Sequence, residues 1–443
     1  MTSNFGLPQN LGNDLILRWA TPDDAEELAD FNLRIHSDDP NEPEEFLAHW
    51  TRDLLRGDHP TTQASDFTVV VDRAAGDKIV SSVGLIGQTW TYEGIPVAVG
   101  RPELVATDAA YRRRGLVRAQ FETIHALSEA RGHKIQAITG IPWYYRQFGY
   151  EMTVNLGGGR NYPLDLYQKA KPADDEPYRL RPATLEDLPF LQAQYALYCA
   201  DGLLARVRDE AIWRYEMAEA HRDSEYARHF YVVEETAVAQ PIAYVEYRDW
   251  GKSFGVREIG VRAGHSLRAV ALFLIRHLEQ EAIRLNPDRK KPYRNIHFHF
   301  GDAHPVYDAL SRELPAGRAP YAWYIRVPDL PGFLRHITPV LEKRLAGSVM
   351  AGHSGTLKLN FYQTQMTLVF ENGKLTDIGT FDPERVESGD AVFPDLTFLK
   401  LLFGHRSLEE LDAARADCYA NNEAAVLLPI LFPKRPSRLI ELG

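Results

Sequence analysis

The segment Val105-Ala-Thr-Asp-Ala-Ala-Tyr-Arg-Arg-Arg-Gly-Leu-Val-Arg118 runs from an apolar strand end through an arginine-rich turn into a helix. The first backbone N–H groups of a helix lack intrahelical partners, and the aligned peptide dipoles attract anions to that end. Gly115 lets an anion approach the backbone closely. Guanidinium groups match phosphate oxygens, and the segment carries four of them, on Arg112, Arg113, Arg114 and Arg118. The pattern predicts a pyrophosphate site.

Apolar runs on both sides of this turn predict a meander of strands that leads into a helix. The helix has apolar residues at helical spacing, and Gly132 is a natural C-terminal stop. A further pair of strands surrounds the turn at Glu93-Gly94. The other predicted elements are strands at Phe67 to Val71, Ile79 to Ile86 and Ile135 to Thr139, and helices after Gly115 and at Trp143 to Gly149.

Composition limits the class of protein. The chain has 443 residues, which predicts two to four domains, and its 25% charged and 44% hydrophobic residues are ordinary for a soluble globular protein. The net charge of −11 argues against a general nucleic-acid binder and mildly favours cationic partners. Neither a signal peptide nor a long apolar run is evident, so we expect a cytoplasmic protein without a membrane partner. Cys199 and Cys418 are expected to be buried thiols.

An internal repeat organises the first three quarters of the chain. Leu17-Arg-Trp-Ala-Thr-Pro-Asp-Asp24 returns as Leu180-Arg-Pro-Ala-Thr-Leu-Glu-Asp187. Each copy reads as a strand end, a threonine at the helix N-cap and an acidic first turn. The second copy then repeats the order of elements, with strands at Phe230 to Glu234, Ile242 to Tyr247, Val256 to Val261 and Ile296 to Phe300, and helices at Leu267 to Leu285 and His304 to Leu314.

The second copy lacks the arginine turn. Its corresponding segment, Val261-Arg-Ala-Gly-His-Ser-Leu267, keeps a helix start and a glycine but has one arginine where the first copy has a cluster. We therefore interpret it as a copy that kept the fold and lost the ligand.

Proline-rich stretches at Lys169 to Pro177 and Val327 to Gly332 are candidate boundaries. They divide the chain into domains 1–168, 169–327 and 328–443. The third opens with a helical pattern from Phe333 to Leu345 and continues with alternating runs at Thr356 to Phe361 and Met366 to Phe370, followed by the turn Asn372-Gly373. It is predicted to be an α+β unit.

Taken with Tyr144-Tyr-Arg-Gln-Phe-Gly-Tyr150, the arginine turn resembles the acetyl-CoA-binding core of the GNAT acyltransferase superfamily. The whole chain resembles the Eis-like N-acetyltransferases, which have two GNAT-type domains, the second degenerate, and a sterol-carrier-protein-like C-terminal domain. The resemblance implies an α/β (α+β) fold with tandem mixed-sheet domains. It also implies an acetyl-CoA-dependent enzyme that acetylates a primary amine of a small cationic molecule, and assembly as a hexamer.

The resemblance also assigns residues. Tyr145 falls on the tyrosine that serves as general acid in this family. The general base is the terminal carboxylate, which here belongs to Gly443. The chain ends without the aromatic last residue of the better-known members. The backbone of the strand end before the arginine turn lines the pantetheine arm, at Val105, Ala106 and Thr107. The arginine turn and helix start hold the pyrophosphate, at Arg113, Arg114, Gly115, Leu116, Val117 and Arg118. The end of the strand after that helix flanks the acyl group, at Gly140 and Ile141.

Alternatives remain at this point. The protein could be a non-catalytic carrier, with an apolar ligand in the C-terminal domain and the GNAT pair as scaffold. His297, His299 and His304 could suggest a metal, but without a fixed carboxylate partner they match no site pattern, so no metal is expected. Gly157-Gly-Gly159 is interpreted as a flexible turn. Loops such as Phe31 to Glu45 are expected to form the substrate walls.

Overall fold

The computed structural model describes residues 5–39, 41–164, 176–224 and 226–440. It shows the mixed α/β fold that the sequence predicts, with three mixed sheets and helices packed on them. Contacts in space divide the chain into two compact units. The first unit is Met1–Val154, Gly202–Val207 and Ala322–Arg438, and the second is Asn155–Asp201, Arg208–Tyr321 and Leu439–Gly443.

The regular elements among these residues are numbered in chain order. The strands are β1 (Gln9–Gly12), β2 (Leu15–Trp19), β3 (Phe67–Asp72), β4 (Lys78–Tyr92), β5 (Ile95–Thr107), β6 (Ile135–Ile138), β7 (Glu151–Leu156), β8 (Gly159–Pro163), β9 (Tyr178–Pro182), β10 (Leu204–Arg206), β11 (Phe230–Glu235), β12 (Gln240–Trp250), β13 (Ser253–Val261), β14 (Asn295–Phe298), β15 (Ala316–Arg318), β16 (Tyr321–Arg326), β17 (Gly355–Asn360), β18 (Gln365–Glu371), β19 (Lys374–Gly379), β20 (Ala391–Val392) and β21 (Tyr419–Ala420). The helices are α1 (Ala25–His36), α2 (Glu45–Leu55), α3 (Leu116–Ala130), α4 (Leu188–Cys199), α5 (Glu210–Arg214), α6 (Leu267–Leu285), α7 (Pro305–Ala309), α8 (Leu330–His336), α9 (Thr338–Ala346), α10 (Phe398–Leu402), α11 (Leu408–Ala414) and α12 (Asn422–Leu431).

The two large sheets follow one plan. The first unit has the order β1-β2-β3-β4-β5-β6-β16-β7, with β10 paired to β4, and the second has the order β9-β11-β12-β13-β14-β8-β15. In each, a helix connects two parallel neighbours: α3 between β5 and β6, and α6 between β13 and β14. Read from β2 and from β9, the two orders correspond strand by strand. The internal repeat in the sequence is therefore a repeat in the fold.

One pair of strands is exchanged between the copies. β8 follows β7 in the chain but lies in the sheet of the second unit, where it pairs with β14. β16 follows β15 but lies in the sheet of the first unit, between β6 and β7. If each copy were built from one continuous stretch of chain, β8 would lie between β6 and β7, and β16 would lie between β14 and β15. The two strands have changed places.

The repeated Arg-x-x-Thr-x-x-Asp residues have the same structure in both copies. Arg18 forms a two-pronged ion pair with Asp24, whose carboxylate accepts the N–H of Thr21 at 2.7 Å. Arg181 pairs with Asp187 in the same way. The carboxylate thus satisfies free backbone donors at the start of the helix and neutralises the arginine of the preceding strand.

The C-terminal part of the first unit contains a second sheet, in the order β19-β18-β17-β20-β21. The predicted hairpin at Asn372-Gly373 joins β18 to β19. The predicted helix from Phe333 to Leu345 is two helices, α8 and α9, because the chain breaks at Ile337, two residues before Pro339. A proline fits the first turn of a new helix and would have interrupted a continuous one.

Of the other predictions of local structure, some are confirmed and others are not. α6 has the predicted bounds, whereas the helix predicted from His304 to Leu314 is shorter, at Pro305–Ala309. Cys418 is buried as expected, but Cys199 is only half-buried. The predicted boundary at Lys169 to Pro177 lies almost entirely outside the described residues, and the three-domain division stays a prediction. None of the helices in the described ranges is long and apolar enough to cross a membrane.

The turn of the β4–β5 hairpin is held by charge. Glu93 lies at this turn with 13% of its side chain exposed, and it accepts the guanidinium of Arg344 at 2.7 Å and that of Arg435. The adjacent Tyr92 is buried and donates its hydroxyl to the carbonyl of Leu402 at 2.7 Å. Residues far apart in the sequence therefore fix this turn.

Replacing Glu93 with Gln should leave two guanidinium groups facing a neutral amide in a mostly buried site. We expect a loss of about 2–3 kcal/mol, less than for a fully buried pair because Arg435 is partly exposed. Thermal unfolding should show it as a Tm lower by several degrees. Lys374→Met, which removes an ion pair of an exposed lysine, is the control and should change stability by about 0.5 kcal/mol or less. Equal shifts in the two variants would contradict this assignment.

Candidate active site

The candidate site is an opening between two parallel strands. β5 and β6 pair only at Val99 with Ile135 and at Gly100 with Gln136. Beyond these pairs β5 stays hydrogen-bonded to β4, while β6 pairs with β16 on its other side. The last part of β5 and the end of β6 therefore diverge, and the backbone groups between them are available to a ligand.

A bulge shapes the β5 side of this opening. Leu104 has φ of +52°, and the register of β4 against β5 shifts at this point. The hydroxyl of Ser82 donates to the carbonyl of Leu104 at 3.1 Å, and that of Ser81 to the carbonyl of Ala106 at 2.8 Å. Leucine rarely adopts a positive φ, so these bonds hold a strained conformation. The bulge re-aims the strand just before the predicted pantetheine-lining residues Val105, Ala106 and Thr107.

The arginine turn leads from β5 to α3. Arg113 has φ of +63° and Gly115, the N-cap of α3, has φ of +77°. Gly115 has no side chain, and none of the described side chains caps this end of the helix. The first N–H groups of Leu116, Val117 and Arg118 therefore point out of the helix start and are free to bind an anion.

The arginines of the turn are exposed, and Arg112, Arg114 and Arg118 form hydrogen bonds to neutral oxygen atoms. Arg112 contacts the carbonyl of Thr107, Arg114 contacts that of Ala110, and Arg118 contacts the amide of Gln147 at 3.2 Å. In the part of the chain that the structure describes, no ion pair with a carboxylate involves these residues or Arg113. Their charge is therefore available to an anion beside the helix start.

Tyr145 lies at the end of β6, in a short 3₁₀ turn, Tyr144–Phe148, and is 6% exposed. Its ring packs against Gly140, where an added Cβ would lie 2.8 Å from Cε2 and 3.2 Å from the hydroxyl oxygen. Gly140, with φ of +142°, thus makes room for the tyrosine. The structure brings Tyr145, Gly140 and the neighbouring Ile141, which is 62% exposed, together at the mouth of the opening.

Behind Tyr145 lies a buried polar pair. The hydroxyl of Tyr150 is 2.8 Å from Nε2 of His125, and the ring centroids of Tyr150 and Tyr145 are 6.3 Å apart. Burial, assisted by the charge of Arg326, lowers the pKa of His125 to about 3. Burial raises the pKa of Tyr150 well above its ordinary value. A neutral imidazole can accept a hydrogen bond from the phenol hydroxyl, so the pair links α3 to the segment after Tyr145.

Sequence reasoning missed two residues here. Tyr324, on the exchanged strand β16, lies 5.5 Å from Tyr145 between ring centroids, and its hydroxyl is 3.3 Å from the carbonyl oxygen of Ile141. The short apolar run Ala322-Trp-Tyr-Ile325 is typical of a buried strand, but nothing local placed it beside β6. Trp143 is 66% exposed and has φ of +69°, which is a strained conformation for an aromatic residue. The sequence does not predict this conformation.

In the second unit, the helix start that corresponds to that of α3 is capped. Ser266 caps α6 by accepting the N–H of Ala269 at 3.2 Å, which satisfies a donor that stays free at Gly115. On its sheet, Arg208 forms a two-pronged ion pair with Glu258, and Arg257 pairs with Glu246 at 2.5 Å. Burial alone would raise the pKa of Glu246, but Arg228 and Arg257 hold it at about 2. These charges neutralise one another.

Two further predictions concern other positions. His297 is paired through Nδ1 with Asn161 at 2.6 Å. Among the described residues, no group of three or more His, Cys, Asp or Glu side chains is placed to hold a metal ion. Gly443, the predicted general base, lies outside the described residues, so its place is not defined.

A family model described as an acetyltransferase (GNAT) domain matches residues 25–153. Residues 25–153 thus match a GNAT acetyltransferase domain, and the matched stretch includes the arginine turn and Tyr145. The comparison with curated proteins finds no match.

Solved structures share the fold over nearly the whole chain. A probable N-acyltransferase from Enterococcus faecalis is 16% identical with a TM-score of 0.67, and the alignment covers 96% of this chain and 97% of that one. A GCN5-related N-acetyltransferase from Kribbella flavida is 18% identical, with a TM-score of 0.64 and coverage of 97% and 100%. Eis1 from Mycobacterium abscessus is 13% identical, with a TM-score of 0.60 and coverage of 96% and 99%. At these identities the likeness establishes the fold alone.

The low pKa of His125 predicts acid sensitivity. An unfolded histidine titrates near pH ~6.5, so between about that pH and pH 3 the unfolded chain binds a proton that the native chain does not. The free energy of unfolding should fall with falling pH in this window, by up to about 1.4 kcal/mol per pH unit from this group. Urea unfolding at pH 4 to 6.5 should show a shallower dependence in His125→Gln. Tyr150→Phe, which keeps the imidazole, should lower stability without flattening the slope; if both variants flatten it equally, His125 is not the group.

Proposed function

We propose that this protein is an acetyl-CoA-dependent N-acetyltransferase that transfers an acetyl group to a primary amine of a small cationic molecule by direct attack. The observation that carries the proposal is the opening between β5 and β6, with an uncapped helix start and four exposed arginines at its edge. The GNAT domain match over the same residues supports it. So do the descriptions of two solved structures with this fold, one as a probable N-acyltransferase and one as a GCN5-related N-acetyltransferase.

The residues present fit acetyl-CoA. The N–H groups and guanidinium groups from Arg113 to Arg118 suit a pyrophosphate, because both donate hydrogen bonds and carry positive charge. The backbone of Val105 to Thr107 would line the pantetheine arm, and Gly140 and Ile141 would flank the acyl group. When bound, acetyl-CoA supplies an activated thioester.

Two proton transfers are needed. An aliphatic amine with a pKa near ~10.4 is mostly protonated at neutral pH and must lose a proton before it attacks. A carboxylate or a water chain could remove it. The departing thiolate must also be protonated, and because its parent thiol has a pKa of about 8.5, a phenol with a pKa near ~10 can protonate it only with help from geometry. The hydroxyl of Tyr145 is the group we assign to hold and donate that proton, since its ring lies against Gly140 at the mouth of the opening.

Several finer assignments belong to this proposal. The net charge of −11 favours a cationic acceptor over an anionic one. The Eis-like resemblance supports a sterol-carrier-like role for the C-terminal sheet and its helices, and assembly as a hexamer. The fold shared with Eis1 is consistent with these assignments.

A thiol-release assay tests the function directly. Wild-type protein with acetyl-CoA should release free thiol with at least one member of a panel of aminoglycosides, polyamines and lysine-bearing peptides. Tyr145→Phe should lower turnover about 100-fold with little change in KM for acetyl-CoA, as expected for loss of a general acid. Gly140→Ala should also lower turnover, because its methyl group would displace the Tyr145 ring. Tyr144→Phe is the neighbouring control and should lose far less. No release with any amine would refute the function.

Calorimetric titration tests the cofactor site separately. One acetyl-CoA should bind per chain, because Ser266 caps the corresponding helix start in the second unit. Removing Arg113 and Arg118 together should weaken binding at least tenfold, since each charge-assisted hydrogen bond contributes about 1.5–3 kcal/mol. Arg262→Ala, the matched change in the second copy, should leave binding as it is. Two sites per chain, or equal effects of both changes, would contradict the assignment.

A further inference from the structure

The exchanged strand β16 contributes to the candidate site. Its pairing with β6 sets Tyr324 opposite Ile138, Ile325 opposite Ala137 and Arg326 opposite Gln136. Side chains alternate along a strand, so Tyr324 and Arg326 lie on the same face of the sheet. That face packs against α3 and holds the cluster of Tyr145, Tyr150 and Phe121. A residue almost 180 positions after Tyr145 is therefore its neighbour.

Tyr324 contacts both the 3₁₀ turn and the segment that precedes it. It is fully buried, and its ring meets that of Tyr145 edge to face, at 5.5 Å and an angle of 68°. Its hydroxyl is directed at the carbonyl oxygen of Ile141, at 3.3 Å. One side chain thus contacts the tyrosine ring and the backbone of the segment that leads to it.

Tyr145 has ring contacts inside and outside its own turn. Gly140 offers the ring space but no side chain, and Tyr144 lies in the same short turn. Phe121 and Tyr150 contact the ring at centroid distances of 6.0 and 6.3 Å. Tyr324 contacts it at the shortest distance of any of these partners outside the turn, and it lies on a strand that is paired on both sides, with β6 and with β7.

We propose that Tyr324 is a positioning residue that holds the ring of Tyr145 and the carbonyl of Ile141 in the geometry needed for proton transfer at the opening. The inference rests on the proposed function of Tyr145. The edge-to-face ring contact fixes the direction of the phenol, and the hydroxyl contact fixes the start of the turn. Tyr324 itself touches no substrate, so it should influence turnover and leave the affinity for acetyl-CoA unchanged.

Steady-state kinetics of the full chain test this role. Tyr324→Leu, which removes the ring and the hydroxyl, should lower kcat about tenfold or more, and Tyr324→Phe, which keeps the ring, should lower it about twofold to threefold. KM and Kd for acetyl-CoA should stay within twofold of wild type. Tyr321→Phe, on the same strand at an exposed position, is the matched control and should behave as wild type. If kcat is unchanged in folded Tyr324→Leu, the proposal is wrong.

A second measurement does not depend on activity. With 3-fluorotyrosine placed at position 145, the ¹⁹F resonance should shift or broaden in Tyr324→Leu and stay unchanged in Tyr321→Phe. Circular dichroism and the melting curve identify any variant that fails to fold, and Tyr324→Phe then carries the test because it retains the packing. An unchanged resonance in every Tyr324 variant would overturn the proposal. A wild-type protein without turnover would refute the proposed function, while the resonance would still decide whether Tyr324 positions Tyr145.

Discussion

The early end of pairing between β5 and β6 is the constraint on which the rest of the site depends. Two parallel strands that stay in register would satisfy each other's backbone groups and leave no room for a ligand. Here the Leu104 bulge and the separate partners of the two strands, β4 and β16, open them after Gly100 and Gln136. The bare helix start, the arginines and the tyrosine cluster all border the resulting opening.

The two copies of the fold show how small the difference between a binding and a structural domain can be. Both have the same strand order and the same Arg-Thr-Asp constellation at the first helix. One begins its connecting helix with a glycine, beside exposed arginines that form no ion pair among the described residues; the other begins with Ser266, whose hydroxyl accepts the N–H of Ala269. Buried arginines in the second copy are neutralised by Glu246 and Glu258, so they cannot serve an external anion.

Features that depend on neighbouring residues were predictable from the sequence, and those that depend on distant ones were not. The repeat, the arginine turn, α6 and the hairpin at Asn372-Gly373 follow from periodicity, capping and turn chemistry, and the structure confirms them. The position of Tyr145 beside Gly140 agrees with the resemblance, although its role stays a prediction. A leucine does not indicate a bulge, so the one at Leu104 could not be predicted from the sequence. The position of Tyr324 beside Tyr145 could not be predicted, because the pairing of β16 with β6 joins segments almost 190 residues apart. No local pattern in the sequence indicates such a partner.

The strand exchange also bears on how the protein is made. Until β16 leaves the ribosome, β6 and β7 each present an unpaired edge, although both strands were synthesised long before. Roughly 165 residues separate the end of β7 from the start of β16, which is about 10 to 30 seconds of translation. Open strand edges invite pairing with other chains. Nascent chains of this protein are therefore exposed to aggregation for an unusually long interval, and we expect chaperones or slow, cooperative folding of both copies to be part of its biogenesis.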